Sequence, residues 1–131
     1  MRRGRDMNRD TLERLIIENY NSEPEHPWLK YPEDTVFRRS DNRKWFALII
    51  DVRRDKLGLS GDGMLTVANF KCETLLIDAL VTEPGLFRGY HMNKNNWISA
   101  ALDGTVPDER IKMLLDMSYN ATAKKFPRRK E

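Results

Sequence analysis

The sequence predicts an α+β fold: a two-layer sandwich whose five-stranded antiparallel sheet carries helices packed mainly on one face, in the order α-β-β-β-α-β-β-α. Three observations carry the prediction. Apolar residues recur at helical spacing near both ends of the chain and once between. Short β-branched and aromatic runs, separated by turn-forming residues, fill the intervals. The 131 residues, 40% hydrophobic and 33% charged, suffice for one core and are too few for two comfortable domains.

The first helix is expected over 8–20, with Asn8 as N-cap and Leu12, Leu15, Ile16 and Tyr20 on one face. Pro24, Pro27 and Pro32 make 21–34 an irregular connection, which Trp28 and Leu29 are expected to pin to the core. Strands follow at 35–39 and 44–52, joined through the turn residues Ser40-Asp41-Asn42. The second is apolar on both faces, with Trp45, Ala47 and Ile49 pointing one way and Phe46, Leu48 and Ile50 the other. It is therefore expected at the centre of the sheet. A loop, a helix or a second subunit is needed to cover its far side. Gly58, Gly61 and Gly63 mark a loop before a third strand at 64–71. A helix over 73–82 carries the stripe Leu75, Leu76, Ala79 and Leu80 and ends at Pro84-Gly85. Strands at 87–92 and 97–102 flank the turn 93–96. Pro107 opens a last helix with inner face Ile111, Leu114, Leu115, Ser118 and Tyr119.

The formal net charge of +3 is unevenly spread. Arg2, Arg3, Arg5 and Arg9 face only Asp6, and Lys124, Lys125, Arg128, Arg129 and Lys130 face only Glu131, so the body between is net acidic. Within that body, residues 38–56 gather Arg38, Arg39, Arg43, Lys44, Arg53, Arg54 and Lys56 against Asp41, Asp51 and Asp55. The organisation expected is a basic arm over 1–7, one domain over 8–122 and a basic tail over 123–131. Such basic segments attract nucleic acid; solvated tails and a solvated hairpin explain the same charges. No apolar run is long enough to span a bilayer and none follows the first arginines, so neither membrane span nor signal peptide is expected. One cysteine, Cys72, excludes an internal disulfide, and the expected compartment is the cytoplasm.

Few residues suggest chemistry. His26 and His91 lie far apart and neither has a partner at metal-ligand spacing, so no metal and no cofactor are expected. Cys72 stands alone before a helix, and the glycine loop lacks the Lys-Ser/Thr of a phosphate loop. No catalytic constellation is recognisable, and the chain is not expected to be an enzyme.

One segment is more distinctive: Gly89-Tyr90-His91-Met92-Asn93-Lys94-Asn95-Asn96-Trp97-Ile98-Ser99, followed by Leu102-Asp103-Gly104-Thr105-Val106-Pro107-Asp108 and by Ser118-Tyr119. With Tyr31 to Phe37, Lys44 to Ala47 and Asn69 to Cys72, it resembles the MmcQ/YjbR family of small bacterial proteins over residues 8–122. Many members carry His where this chain has Asn96. The resemblance implies a CyaY-like or secretion-chaperone-like α/β sandwich and a DNA-binding role through paired β-hairpins. It singles out Tyr90, His91, Asn93, Lys94, Trp97, Asp103 and Gly104, for which a purely architectural role is the competing reading.

Three functions compete. In the first, the protein binds DNA weakly and in a salt-dependent way, without catalysis, through Arg38, Arg39, Arg43, Lys44, Arg53, Arg54, Arg88 and Lys94. In the second it is a protein-interaction module or homodimer. In the third it is a small-molecule binder or enzyme with a site near Tyr90, His91 and Lys94.

Overall fold

The computed structural model describes residues 7–123; the basic segments expected to form the arm and tail lie otherwise outside the described residues. Helix α1 (Arg9–Tyr20) begins where expected, because the Asn8 side chain accepts from the Thr11 amide at 2.9 Å. Strands β1 (Thr35–Arg38), β2 (Trp45–Arg53) and β3 (Met64–Lys71) follow, with a short 3-10 turn over Arg54–Leu57 that the sequence did not signal. Then come α2 (Thr74–Leu80), β4 (Leu86–Arg88), β5 (Trp97–Ala101) and α3 (Asp108–Ala121). The five strands are antiparallel in the order β1-β2-β3-β5-β4, so β2 and β3 are interior and β1 and β4 are edges.

All three helices pack on one face of the sheet. Leu12 and Ile16 of α1, Ile77 and Leu80 of α2, and Ile111, Leu114 and Leu115 of α3 share one cluster with Phe37, Ala47, Ile49, Ala68, Phe70, Ile98 and Ala100. Each large side chain buried there contributes about 1.5–3 kcal/mol. Ser118 closes the join between α3 and the sheet: its hydroxyl accepts from the Lys71 amide at 2.8 Å and donates to the Phe46 carbonyl at 2.6 Å.

The far face is covered by the chain's own loops. Ile50, Val52, Leu65, Val67 and Ala101 lie under Leu57, Leu59, Phe87 and Tyr90, while Val36, Leu48 and Trp97 lie under Trp28, Trp45 and Met92. The chain's own loops supply cover for the two-faced β2, with Phe87 of β4 and Trp45 of β2 itself beside them.

Several expectations are corrected. The β2 alternation breaks at its start: Phe37 pairs with Ala47 but Arg38 pairs with Trp45, so Phe46 is the extra residue of a β-bulge. The bulge turns Phe46 to the helix side with Ala47 and sends Trp45 to the far face. Leu29 pins nothing and is 99% exposed; of the two side chains, Trp28 is the one packed against the sheet. On α2, Leu75 is 82% exposed and Ile77 takes the inward position. Strand β4 stops at Arg88, which leaves His91 in a turn rather than at a strand end. Met7, assigned to the arm, is buried in the main core, and its amide donates to Asp108.

Candidate ligand-binding site

On the far face, two of the covering segments leave a cavity of about 450 Å³ between them. Its floor is the sheet itself, through Leu48, Ile50 and Asn69. The connection 21–34 forms one wall. Glu25 and Val36 exchange two backbone hydrogen bonds at 2.9 Å, which ties this connection to the edge of β1. Trp28 then folds back onto Trp45, the rings 5.8 Å apart and 86° inclined. Two successive turns, Tyr31 amide to Trp28 carbonyl at 3.2 Å and Asp34 amide to Tyr31 carbonyl at 3.1 Å, bring Tyr31 to the mouth and Asp34 to the lining. The bulge at Phe46 is what places Trp45 on this side.

The opposite wall is the turn 89–96, which contributes His91 and Met92. It is fixed to the sheet by a closed polar circuit. The buried Asn69 amide donates to the Tyr90 carbonyl at 3.1 Å, the Tyr90 amide donates to Ser99 Oγ at 2.9 Å, and Ser99 Oγ donates to Asn69 Oδ1. Asn69 and Ser99 are fully buried, and in the circuit neither hydroxyl nor amide oxygen is left unpaired. The chain then passes through a left-handed conformation at His91, φ +63°, which is uncommon for a residue with a side chain. The imidazole packs at an angle against Tyr90, ring centroids 4.1 Å apart.

Charge in the site is asymmetric. Arg9 reaches Thr35 Oγ1 and the Glu33 carbonyl, and lies 3.5 Å from both Glu13 and Asp51. The Asp51 carboxylate also accepts from Thr66 at 2.6 Å. Arg38, whose guanidinium stacks 5.6 Å from the Trp45 ring, is paired with Glu25 at 3.0 Å. Asp34 differs: among the described residues no side chain donates a hydrogen bond to its carboxylate. Burial pushes its carboxyl above the usual range, as does the charge of Asp51; the Asp51 backbone, Arg9 and His91 act the other way and do not offset it.

The sequence-predicted residues fall into separate groups. Arg39 is buried, donates to the Tyr119 carbonyl and to Asp41, and lies 3.9 Å over the Tyr119 ring, so it fastens the β1–β2 hairpin to α3. Arg38 and Arg43 share Glu25, Arg53 pairs with Asp55 at 2.6 Å and Arg88 with Asp78 at 2.6 Å. Arg54 donates to the Ser60 carbonyl and Lys94 to the Gly89 carbonyl at 3.3 Å. Lys44 is exposed, and its ammonium has no ion pair among the described residues. Asn93 caps its own turn, accepting from the Asn95 amide at 2.9 Å, and Asp103 accepts from the Thr105 amide at 3.0 Å before left-handed Gly104. Trp97 is a core residue beside Val36 and Leu48. Of the motif residues, His91 lines the cavity, whereas Tyr90 holds its wall through the backbone.

Trp28, Tyr31, Asp34, Trp45, Asn69 and Met92 were not singled out by sequence as one site, because no local spacing brings them together. Among the described residues no group of three or more His, Cys, Asp or Glu is arranged to hold a metal ion, and no helix is long and apolar enough to cross a membrane. Cys72 is buried and its thiol is pushed up by that burial, which makes it a poor nucleophile.

Comparison with known proteins gives the chain its relatives. It is 36% identical over 116 residues to the uncharacterized protein YyaQ of Bacillus subtilis, covering 88% of this chain and 98% of that protein. The crystal structure of a structural-genomics protein from Pseudomonas syringae superposes with a TM-score of 0.87 at 38% identity, covering 89% of this chain and 100% of the other. A crystal structure from Deinococcus radiodurans gives 0.69 at 27% identity, covering 92% of this chain and 81% of that one. The YjbR family model matches residues 8–121, nearly all of the described fold, and the chain belongs to that family.

Proposed function

We propose that this protein is a non-catalytic binding module whose ligand is a small organic molecule seated in the far-face cavity. The observation that carries the reading is the composition of that cavity: a mostly apolar floor, aromatic walls from Trp28, Tyr31 and Trp45, and two carboxylates, the half-buried Asp34 and the exposed Asp51. Ligand sites combine a mostly apolar concave surface with few polar groups in this way. A thermal-shift screen of a metabolite panel tests the reading, since a ligand at a hundred times its Kd adds about 2.7 kcal/mol to stability. The stabilising compounds should move the NMR signals of the Trp28 and Trp45 indoles and the Met92 methyl. A panel without a stabiliser, or stabilisers acting elsewhere, would refute it.

Weak DNA binding is the second reading. It is supported by the exposed Lys44 on the β1–β2 hairpin and by the basic segments at both ends of the sequence. The arginines of that hairpin are held by carboxylates, but exposed pairs are worth only about 0–1 kcal/mol and can be exchanged for phosphate. Titration of a labelled duplex at low and moderate salt tests it, and no binding at low salt would end it.

A further inference from the structure

Resting on the cavity reading, we infer that the ligand is an organic cation: a protonated amine or quaternary ammonium carried on an apolar body. The inference begins with the charges around the cavity. Arg9 is balanced by Glu13 and Asp51, and Arg38 by Glu25. Both arginines are thus engaged, Arg9 by two carboxylates and Arg38 by one that Arg43 shares, and Asp34 is left as a lining carboxylate with no side-chain donor among the described residues. A half-buried carboxylate with no ion pair is costly, and a cation entering beside it offsets that cost. Asp51, a second carboxylate of the lining, is exposed and already engaged by Arg9 and Thr66, and His91 is exposed.

The walls favour the same chemistry. Trp28 and Trp45 meet nearly at a right angle, 86°, and form a corner of two indole rings, with Tyr31 completing a third side at the mouth. The face of an indole attracts a cation within about 6 Å of its centroid, and the attraction rises to about 2 kcal/mol or more once the cation is desolvated. Trp45 already shows this preference, since the Arg38 guanidinium lies 5.6 Å from its ring centroid. An anionic ligand would meet two carboxylates, Asp34 and Asp51, and no lysine or arginine in the lining. A neutral ligand can offer the carboxylate a hydrogen bond but no compensating charge. The Leu48, Ile50 and Met92 surface takes the apolar body.

The test compares three probes of similar size, benzyltrimethylammonium, benzyl alcohol and phenylacetate, titrated into the full chain while the Trp28 and Trp45 indole signals are followed. The expected result is that benzyltrimethylammonium binds at least about tenfold more tightly than benzyl alcohol, a difference of about 1.4 kcal/mol. Asp34→Asn should erase that preference by weakening the cation more than benzyl alcohol; Tyr31→Leu, at the exposed mouth, should likewise weaken the cation more than the alcohol. Equal or tighter binding of benzyl alcohol or phenylacetate at these signals overturns the cation assignment and leaves the cavity reading intact. If none of the probes moves the Trp28, Trp45 or Met92 signals, the cavity reading fails and the assignment falls with it.

Discussion

The side-chain amide of Asn69, on an interior strand, donates to the carbonyl of Tyr90 across the sheet's far face at 3.1 Å. That bond decides where the 89–96 turn sits, and therefore where His91 and Met92 meet the cavity. Replacing Asn69 by Ala leaves the Tyr90 carbonyl and the Ser99 hydroxyl without their buried partner. A loss of about 1–3 kcal/mol is expected, since an unsatisfied buried group costs that much. Urea denaturation measures the loss. The NMR signals of His91 and Met92 should broaden or shift in the same variant, while those of the helix-side core stay in place.

Ser118 plays the corresponding part on the helix side. Its hydroxyl takes the Lys71 amide and gives its proton to the Phe46 carbonyl, at the place where the β2–β3 ladder ends and the bulge begins. Ser118→Ala should cost about 1–3 kcal/mol in the same kind of measurement. Because the circuits of Asn69 and Ser118 lie on opposite faces of the sheet and share no partner, the double variant should lose the sum of the two single losses.

Much of this arrangement could be read from the sequence, and the failures have identifiable causes. The Asn8 cap, the Ile111–Ser118 stripe and the two-faced β2 were legible because each follows from local periodicity or from one short-range hydrogen bond. Trp45 was assigned to the wrong face because a bulge adds one residue to one strand only, and alternation within a strand cannot register a partner's count. Leu29 was taken as buried on apolarity and Leu75 on its place in the stripe Leu75, Leu76, Ala79 and Leu80, yet a folded surface always contains exposed apolar residues. The cavity was the least legible feature. Its lining comes from the 21–34 connection, β2, β3 and the 89–96 turn, and only the tertiary fold brings Asp34 near His91.

Gly89 has no special backbone conformation, and its need for glycine comes from a neighbour. A Cβ added there would stand 2.6 Å from the Cβ of Trp97 and 3.0 Å from its backbone carbonyl carbon and oxygen. The Gly89 amide is also bonded to the Trp97 carbonyl at 2.8 Å, so neither strand can withdraw without losing a hydrogen bond. Gly89→Ala should therefore destabilise the fold by about 1–3 kcal/mol, the range of an overpacked interior. Thermal unfolding followed by circular dichroism checks it. An unchanged midpoint would mean that β4 and β5 separate more easily than this contact implies.

Asp34 makes the pH dependence of stability informative. Burial is the largest influence on its carboxyl and raises it above the ordinary aspartate value, so the folded state binds its proton more firmly than the unfolded chain does. The favourable contribution of that proton is fully present below about pH 4, the unfolded value for aspartate. It is lost as pH rises through the folded value, leaving a charged, poorly solvated carboxylate in the neutral range. Asp34→Asn has no such group to ionise. The variant should therefore gain stability relative to the native chain as pH rises from about 4 toward neutrality, and the difference should then level off. Urea midpoints for both proteins across that interval measure it, and a difference that stays flat or falls with pH would show that the carboxylate is well solvated. A variant more stable at neutral pH yet unable to prefer a cation would mark Asp34 as a residue kept at a cost in stability for the ligand it faces.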